Sequence, residues 1–361
     1  MIEPKKLLVG EDQPDVREAL RLLFKGAGYQ TETADSPARL LRAAEEQDYD
    51  VILLDMNYAR DTTSGDEGIE LLGNLRRRHC DTPVVVMTAW ASLELAIEAM
   101  RKGASDFIQK PWDNARLIET VERQRLRRVE TLTAQRIQAR LLPHEPKPLR
   151  TAICDGATMP AREVGGDYYD FLDLGGSEAG LVLADASGKG VAGALLMANL
   201  RSSVRTLAGT TDTLALGREV NRQFFESTPP EQYATLFFGR YDDATRTLQY
   251  VNCGHCAPMI ARADGRTQRL EPTATVIGLF ADWSGEERQT VLGPGDRLVI
   301  YSDGVVEAGG EACGDAGEEF GEDRLLAHLR SGASAAGILR AVRAFEPADD
   351  ATVVVVRGRA A

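Results

Sequence analysis

Over the first 111 residues, short strand-like runs, three of them wholly apolar, alternate with amphipathic stretches. Leu7-Leu8-Val9, Gln30 to Ala34, Val51 to Leu54, Val84-Val85-Val86-Met87 and Asp106-Phe107-Ile108 have the length of strands. Between them, Asp15 to Ala27, Pro37 to Gln47, Gly68 to Arg78 and Leu93 to Lys102 repeat at the helical period. Strands apolar on both faces and separated by helices predict a doubly wound, parallel α/β sheet, which binds ligands at the carboxyl ends of its strands. The pattern then changes. From Trp112 to Leu142 there is neither Gly nor Pro, and Arg, Glu, Gln, Leu and Ala dominate. One continuous helix of about 45 Å is expected there. Its stripe of Ile118, Val121, Leu126, Val129, Leu132, Ile137 and Leu141 is interrupted by Arg125 and Arg128. Such a stripe serves either a homodimeric coiled coil or packing on the chain's own second half. Pro143, Pro146 and Pro148 close the helix.

Beyond it the order is strands, helices, strands. Gly190 to Leu207 and Thr213 to Ser227 have helical patterns, and Tyr233 to Asp242 with Thr247 to Asn252 reads as a hairpin turning at Asp243-Ala244-Thr245. Arg297 to Ser302 and Thr352 to Arg357 are strands, with helices near Glu322 to Arg330 and Ser334 to Phe345. This is α+β sandwich material rather than a βαβ sheet. The division expected is 1–111, a helical connector 112–149, and 150–361.

Chemistry gathers where the N-terminal strands end. Glu11 and Asp12 follow the first strand, Asp55 the third, Thr88 the fourth, and Lys110-Pro111 the fifth. Three acids, a hydroxyl and an amine therefore converge on one sheet edge. In order and type, these positions make the segment resemble the receiver domain of two-component response regulators. The resemblance implies that Asp55 is the phosphoacceptor, a carboxylate nucleophile. It further implies that Glu11, Asp12, Asp55 and the backbone carbonyl of Asn57 hold Mg2+. Thr88 and Lys110 would contact phosphoryl oxygens, Phe107 would be the aromatic switch, and a sensor histidine kinase would be the donor. One departure is the loop from Tyr58 to Gly65, several residues longer than usual; it is read as a tolerated surface insertion.

The second half has its own acids. Asp167 and Asp185 stand at the ends of strand-like runs with glycines beside them, Asp303 lies in Tyr-Ser-Asp-Gly-Val, and Asp349-Asp350 precede Ala-Thr-Val-Val-Val-Val. Carboxylates without His or Cys partners suit hard divalent cations, so a metal site closed by the fold is expected. Leu141-Leu142-Pro143, Pro160 to Phe171, Asp185 to Gly190, Asn252-Cys253-Gly254-His255, Tyr301 to Glu307 and Asp349 to Thr352 resemble, in that order, the PP2C-like serine phosphatases of the SpoIIE and RsbU type. The resemblance implies two Mn2+ or Mg2+ ions held by Asp167, Asp185, the carbonyl of Ala186, Asp303 and an acid of the last motif, Asp349 or Asp350. Asp349 is preferred, standing three residues before Thr352 as in the common pattern. These acids would be the catalytic set, hydrolysing a phosphoserine without a covalent intermediate. Arg162, five residues before Asp167, would meet the substrate phosphate or remain an ordinary surface arginine. A phosphorylated anti-anti-sigma protein with a STAS domain is the substrate implied.

Charge and composition narrow the alternatives. A formal charge of −13 argues against a nucleic-acid partner. No apolar run approaches the roughly 18 residues that cross a bilayer, and Met1-Ile2-Glu3-Pro4 opens no signal peptide, so no membrane partner and a reducing cytoplasm are expected. Five cysteines without framework spacing agree. Cys253-Gly254-His255-Cys256 copies a redox motif but leads into Pro258 rather than a helix, and Gly188-Lys189-Gly190 lacks the hydroxyl residue of a phosphate loop. Two rivals remain. One is a catalytically silent phosphatase-fold adaptor, for which four metal carboxylates have no use. The other is a DNA-binding regulator, for which no basic helix-turn-helix segment is visible.

Overall fold

A computed structural model describes residues 4–58, 66–77, 82–88, 93–209, 212–310 and 318–360. The loop residues 59–65, singled out above as an insertion, lie outside the described residues. The chain divides into two compact units, Met1–Thr133 and Ala134–Ala361.

In the first unit, strands β1 (Lys5–Gly10), β2 (Tyr29–Ala34), β3 (Val51–Asp55), β4 (Val84–Thr88) and β5 (Asp106–Gln109) form one parallel sheet in the order β2-β1-β3-β4-β5. Helices α1 (Pro14–Gly26), α2 (Pro37–Glu46), α3 (Asp66–Arg77), α4 (Leu93–Arg101) and α5 (Asn114–Leu141) follow the strands in turn. The all-apolar strands bury both faces. Leu8, Ile52, Leu54, Val84 and Val86 pack toward α2 and α3, while Leu7, Val9, Val51, Leu53, Val85 and Met87 meet α1 and the start of α5 through Leu20, Phe24, Leu117 and Val121. Helix α5 is 28 residues long. Its apolar stripe does not stay on one surface. Val121 is buried in the first unit's core, Leu141 packs in the second unit, and Leu126, Val129 and Ile137 between them are exposed.

The second unit is a sandwich of two antiparallel sheets. Strands β6 (Lys147–Pro148), β7 (Ala152–Met159), β8 (Asp167–Gly175), β9 (Glu178–Ala186), β10 (Ala234–Asp242), β11 (Thr247–Cys253), β12 (Met259–Ala261), β13 (Thr267–Arg269), β14 (Arg288–Val291), β15 (Arg297–Tyr301) and β16 (Ala351–Gly358) build it. One sheet has the order β14-β11-β10-β9-β8 and the other β13-β12-β15-β16-β7-β6. Helices α6 (Val191–Leu207) and α7 (Thr213–Ser227) cover the first sheet; α8 (Asp303–Val306), α9 (Gly321–Ser331) and α10 (Ala335–Val342) lie with the second.

Because side chains alternate along a strand, each strand feeds two cores. Tyr168, Val182, Ala184, Leu236 and Phe238 face α6 and α7. Tyr169, Leu181, Leu183, Phe237, Leu298, Ile300, Val354 and Val356 fill the space between the sheets. The parity sorts the polar residues as well. Asp167, Asp185 and Thr235 fall on the inter-sheet side at one end of the first sheet, and Ser302 and Thr352 on the inter-sheet side of the second. Among the described residues, no helix is long and apolar enough to cross a membrane.

Candidate functional site

In the first unit the strand ends bring Glu11, Asp12 and Asp55 together, with one ligand atom from each lying within 4.8 Å of the others. Glu11 and Asp55 are buried, and Lys110 Nζ bridges them at 3.0 Å to Glu11 Oε2 and 2.9 Å to Asp55 Oδ2. Burial outweighs this cation and raises the Asp55 carboxyl; burial and the Asp55 charge likewise raise Glu11. On Lys110 burial acts downward, but the two carboxylates prevail and raise it. Asp12 Oδ1, Asp55 Oδ1 and Asn57 Oδ1 are buried with no hydrogen-bond partner. Acceptor oxygens crowded together and left unpaired fit a hard cation.

The other residues foreseen at this edge are also placed there. Thr88 is buried at the end of β4, and its carbonyl accepts the Lys110 N–H at 2.7 Å. Phe107 points outward, 41% exposed. Tyr58 was not anticipated as part of the cluster. Its phenol is buried without a partner and is pushed up by burial and by the charges of Asp55, Glu11 and Asp12.

In the second unit Asp167 and Asp185 are register partners on β8 and β9. Asp167 is 3% exposed; its Oδ2 accepts the Ser302 hydroxyl at 2.8 Å while its Oδ1 has no partner. Burial and the Asp185 charge push its carboxyl well above the usual range, against hydrogen bonding from Thr352 and Ser302. Asp185 is pushed up to about 7 by burial, then by Asp303, Asp349 and Asp350. Asp303, first residue of α8, is raised by burial and by Asp349. These acids thus feel one another electrostatically. Among the described residues, however, no three of them draw ligand atoms within 4.8 Å as the first unit's cluster does.

The Asp349-Asp350 pair divides. Asp350 is buried, accepting Ala161 N–H on Oδ1 at 2.8 Å and Gly166 N–H on Oδ2 at 2.6 Å. Asp349 is half-exposed and pairs with Lys189 Nζ at 2.8 Å. Both oxygens of Asp350 are therefore engaged by the 161–166 backbone, whereas Asp349 accepts the neighbouring Asp350 N–H on Oδ1 at 2.8 Å and meets Lys189 with Oδ2, on the side of Asp185 and Asp303.

The turn leading into Asp167 needs glycine. A Cβ on Gly165 would lie 2.4 Å from Asp350 Oδ2, and one on Gly166 would lie 2.5 Å from the Ala186 carbonyl oxygen. That carbonyl is thereby set against the Asp167 turn. Arg162 is exposed, its Cδ 3.9 Å from where a Gly190 Cβ would sit.

Sequence reasoning passed over Ser302, Thr352 and Gln138. The first two were detectable, since they continue the inward parity of Leu298 and Ile300 and of Val354 and Val356. Asp170, three residues after Asp167, has the opposite parity. It faces the helices, held by Tyr168 Oη at 2.8 Å and by Arg205 at 2.7 and 2.9 Å. The redox look-alike has no reactive thiol: burial raises Cys253 and pushes Cys256 up to about 12.

Residues 175–359 match the family model described as stage II sporulation protein E (SpoIIE), and residues 7–122 match the response regulator receiver domain. Protein IcfG of Synechocystis sp. is 30% identical over 238 residues, 58% of this chain and 37% of IcfG. Phosphoserine phosphatase RsbU of Bacillus subtilis is 28% identical over 163 residues, 44% of this chain and 48% of RsbU. The chain thus spans less than half the length of these two curated relatives. A solved structure of the PP2C phosphatase domain and a fragment of the regulatory domain of SpoIIE from Bacillus subtilis superposes with a TM-score of 0.50 at 20% identity, covering 58% of this chain and 64% of that one. At that identity the likeness concerns the fold.

Proposed function

The chain belongs to the SpoIIE family and carries a response regulator receiver domain ahead of its SpoIIE-type phosphatase domain, and from this premise we propose that it is a response regulator whose output is metal-dependent hydrolysis of a protein phosphoserine or phosphothreonine. The observation that carries the reading is the mutual arrangement of Asp167, Asp185 and Asp303. They come from three separate elements to one end of the sandwich, and each is held above its ordinary pKa by burial and, after it, by neighbouring carboxylates. Carboxylates crowded out of water are costly unless a cation joins them.

In this reading Asp167, Asp185, Asp303, Asp349 and the Ala186 carbonyl hold two Mn2+ or Mg2+ ions. Asp350 is assigned to the backbone it already clamps rather than to a metal. When bound, the ions supply an activated water and offset charge on the phosphoryl oxygens. The chain's own residues orient the ligands: the Ser302 hydroxyl fixes one oxygen of Asp167 and leaves the other free. Lys189 brings positive charge to the rim through Asp349, and Arg162 is available there to meet the substrate phosphate. In the receiver, Asp55 accepts the phosphoryl group, with Mg2+ held by Glu11, Asp12, Asp55 and the Asn57 carbonyl. Lys110 and Thr88 contact its oxygens, and Phe107 is the aromatic that answers the change. A sensor histidine kinase is the donor, and a phosphorylated STAS-domain anti-anti-sigma protein is the substrate. Residues 112–149 connect the domains 1–111 and 150–361, and the exposed Leu126, Val129 and Ile137 offer a homodimer contact.

Turnover of a phosphoserine STAS protein by the purified chain tests the reading, measured with Mn2+ present or chelated and with beryllofluoride present or absent. Mn2+-dependent release of phosphate, lost in Asp303→Asn and changed by beryllofluoride only while Asp55 is intact, is expected. No release under any condition sinks the enzyme reading. Release that ignores both beryllofluoride and Asp55→Ala removes the receiver as its control.

A further inference from the structure

The receiver reading uses two of the unpaired oxygens at the strand ends, Asp12 Oδ1 and Asp55 Oδ1, together with the Asn57 backbone carbonyl. Three more buried oxygens there have no hydrogen-bond partner: Asn57 Oδ1, Tyr58 Oη and Glu67 Oε2. Of these three residues only Tyr58 is buried as a whole. It is 4% exposed and lies in the core with Leu40, Leu54 and Met56. Its hydroxyl sits over the last residue of β1, where Gly10 leaves the room: a Cβ on Gly10 would stand 2.6 Å from Oη. Glu11 and Asp12 follow directly. On the other side α3 comes in close because Gly68 has no side chain; a Cβ there would stand 2.6 Å from Met56 Cα. That approach sets Glu67 beside the residue that follows Asp55. Burial first, then the charges of Asp55, Glu11, Asp12 and Glu67, raise the phenol, so it stands among the acids as a neutral hydroxyl.

The ring alone needs no explanation, since phenylalanine would fill the same apolar space. The hydroxyl does, because an O–H taken out of water and given no partner costs free energy. A phenol can donate and accept at once. Mg2+ sheds its hydration reluctantly and, when held by one or two carboxylates, keeps several waters. Such waters turn their hydrogens outward and need acceptors. Tyr58 Oη, Glu67 Oε2 and Asn57 Oδ1 are acceptors at this edge, and none of them belongs to the ligand set. We propose that Tyr58 is a positioning residue of the receiver's cation site: its hydroxyl, with Glu67 and the Asn57 side chain, holds water that a bound Mg2+ retains and so strengthens the ion's binding. This rests on the receiver reading above and not on the phosphatase chemistry. A partner of this kind orients without ligating, and its loss weakens the ion's hold while leaving every ligand in place.

The test uses the full chain with Mg2+ as the probe. The amide signals of Gly10, Glu11 and Met56 are followed by NMR, so that binding in the first unit is read apart from the acids of the second. Tyr58→Phe removes the hydroxyl and keeps the ring. The Mg2+ dissociation constant at those amides is expected to rise about tenfold. The urea midpoint of the first unit in chelator, read at the same amides, is expected to stay level or rise, because a buried hydroxyl without a partner has gone. At one fixed Mg2+ concentration the ion should then raise that midpoint less in the variant than in the wild type. An unchanged dissociation constant overturns the inference alone. So does weaker binding joined to a lowered midpoint in chelator, since the phenol would then be holding the fold rather than the water. A wild-type chain whose first-unit amides ignore Mg2+ overturns the receiver's cation site and this inference with it.

Discussion

Asp350 accepts the Gly166 amide at 2.6 Å, and this single contact separates two adjacent acids into different occupations. Asp350 fastens the distant 161–166 backbone, whereas Asp349 accepts only the adjacent Asp350 N–H and turns its other oxygen to Lys189. Asp350→Ala leaves the Ala161 and Gly166 amides without their acceptor, a loss of about 2–4 kcal/mol given the buried Gly166 donor, the part-buried Ala161 bond and a charged partner. Asp349→Asn removes a half-exposed ion pair while its amide oxygen still accepts the Asp350 N–H, and its stability should stay within about 0.5 kcal/mol of wild type. Its Mn2+ requirement should instead rise at least about tenfold. Urea denaturation of the metal-free proteins alongside Mn2+ titration of turnover separates the two, and the reverse pattern would exchange their roles.

Asp167 and Asp185 face each other across neighbouring strands, and in the metal-free protein that proximity is unfavourable. At pH 8 Asp185, pushed up to about 7, is ionised in the folded state at a cost. The neutral isostere Asp185→Asn should therefore raise metal-free stability by about 1–2 kcal/mol, discounted for its partial exposure. A raised carboxyl pKa favours the fold at low pH, and the penalty is complete only above 7, so the gain should shrink at pH 5. Turnover should vanish in the same variant. A destabilised Asp185→Asn at pH 8 would refute the electrostatic account.

His255 titrates in the opposite sense. Burial holds its imidazole down to about 4, and Nδ1 lies 2.7 Å from the Thr235 hydroxyl. The unfolded chain takes up this proton near pH 6.5, so the contribution is complete above that value and is lost as pH falls toward 4. Its full extent is about 3 kcal/mol. His255→Asn should be less stable at pH 7 and show a flatter stability profile between pH 6.5 and 4. Equal slopes for both proteins in chemical denaturation would mean the imidazole is not buried neutral.

In the receiver, Asp55 is crowded by burial beyond what Lys110 offsets. Without Mg2+, Asp55→Asn should melt higher than wild type by an amount equivalent to about 1 kcal/mol. Adding Mg2+ should stabilise wild type and leave the variant nearly unchanged. Phosphorylation by a small acyl phosphate, read as a mobility shift, should disappear in the variant. Stabilisation of both proteins by Mg2+ to the same degree would place the cation elsewhere.

The strands and helices of the first unit, and the longer helices and four of the strands of the second, were legible because their apolar periods are clean. The run Val51 to Leu54 has no polar residue, and Thr213 to Ser227 begins and ends at the helix found. The acids at strand ends were legible for the same reason. What the linear pattern could not convey is which carboxylate oxygens remain free. Asp349 and Asp350 differ only in what the fold brings to them, namely Lys189 to one and two amides from the 161–166 segment to the other. Gln138 was hidden differently. On a helix rich in polar residues nothing local distinguishes it from Gln124 or Gln135, and its partner Gly165 lies 27 positions away. Strand β7, with Asp155, Gly156 and Thr158 inside it, has too little apolar signal to announce a place beside β16.

Strand β16 lies between β15 and β7, in the interior of its sheet, and Asp349 and Asp350 immediately precede it. With a neighbour on each side, β16 offers no free edge to another chain, and the two acids ahead of it lead straight into the buried run Val353 to Val356 rather than hanging on a loose tail.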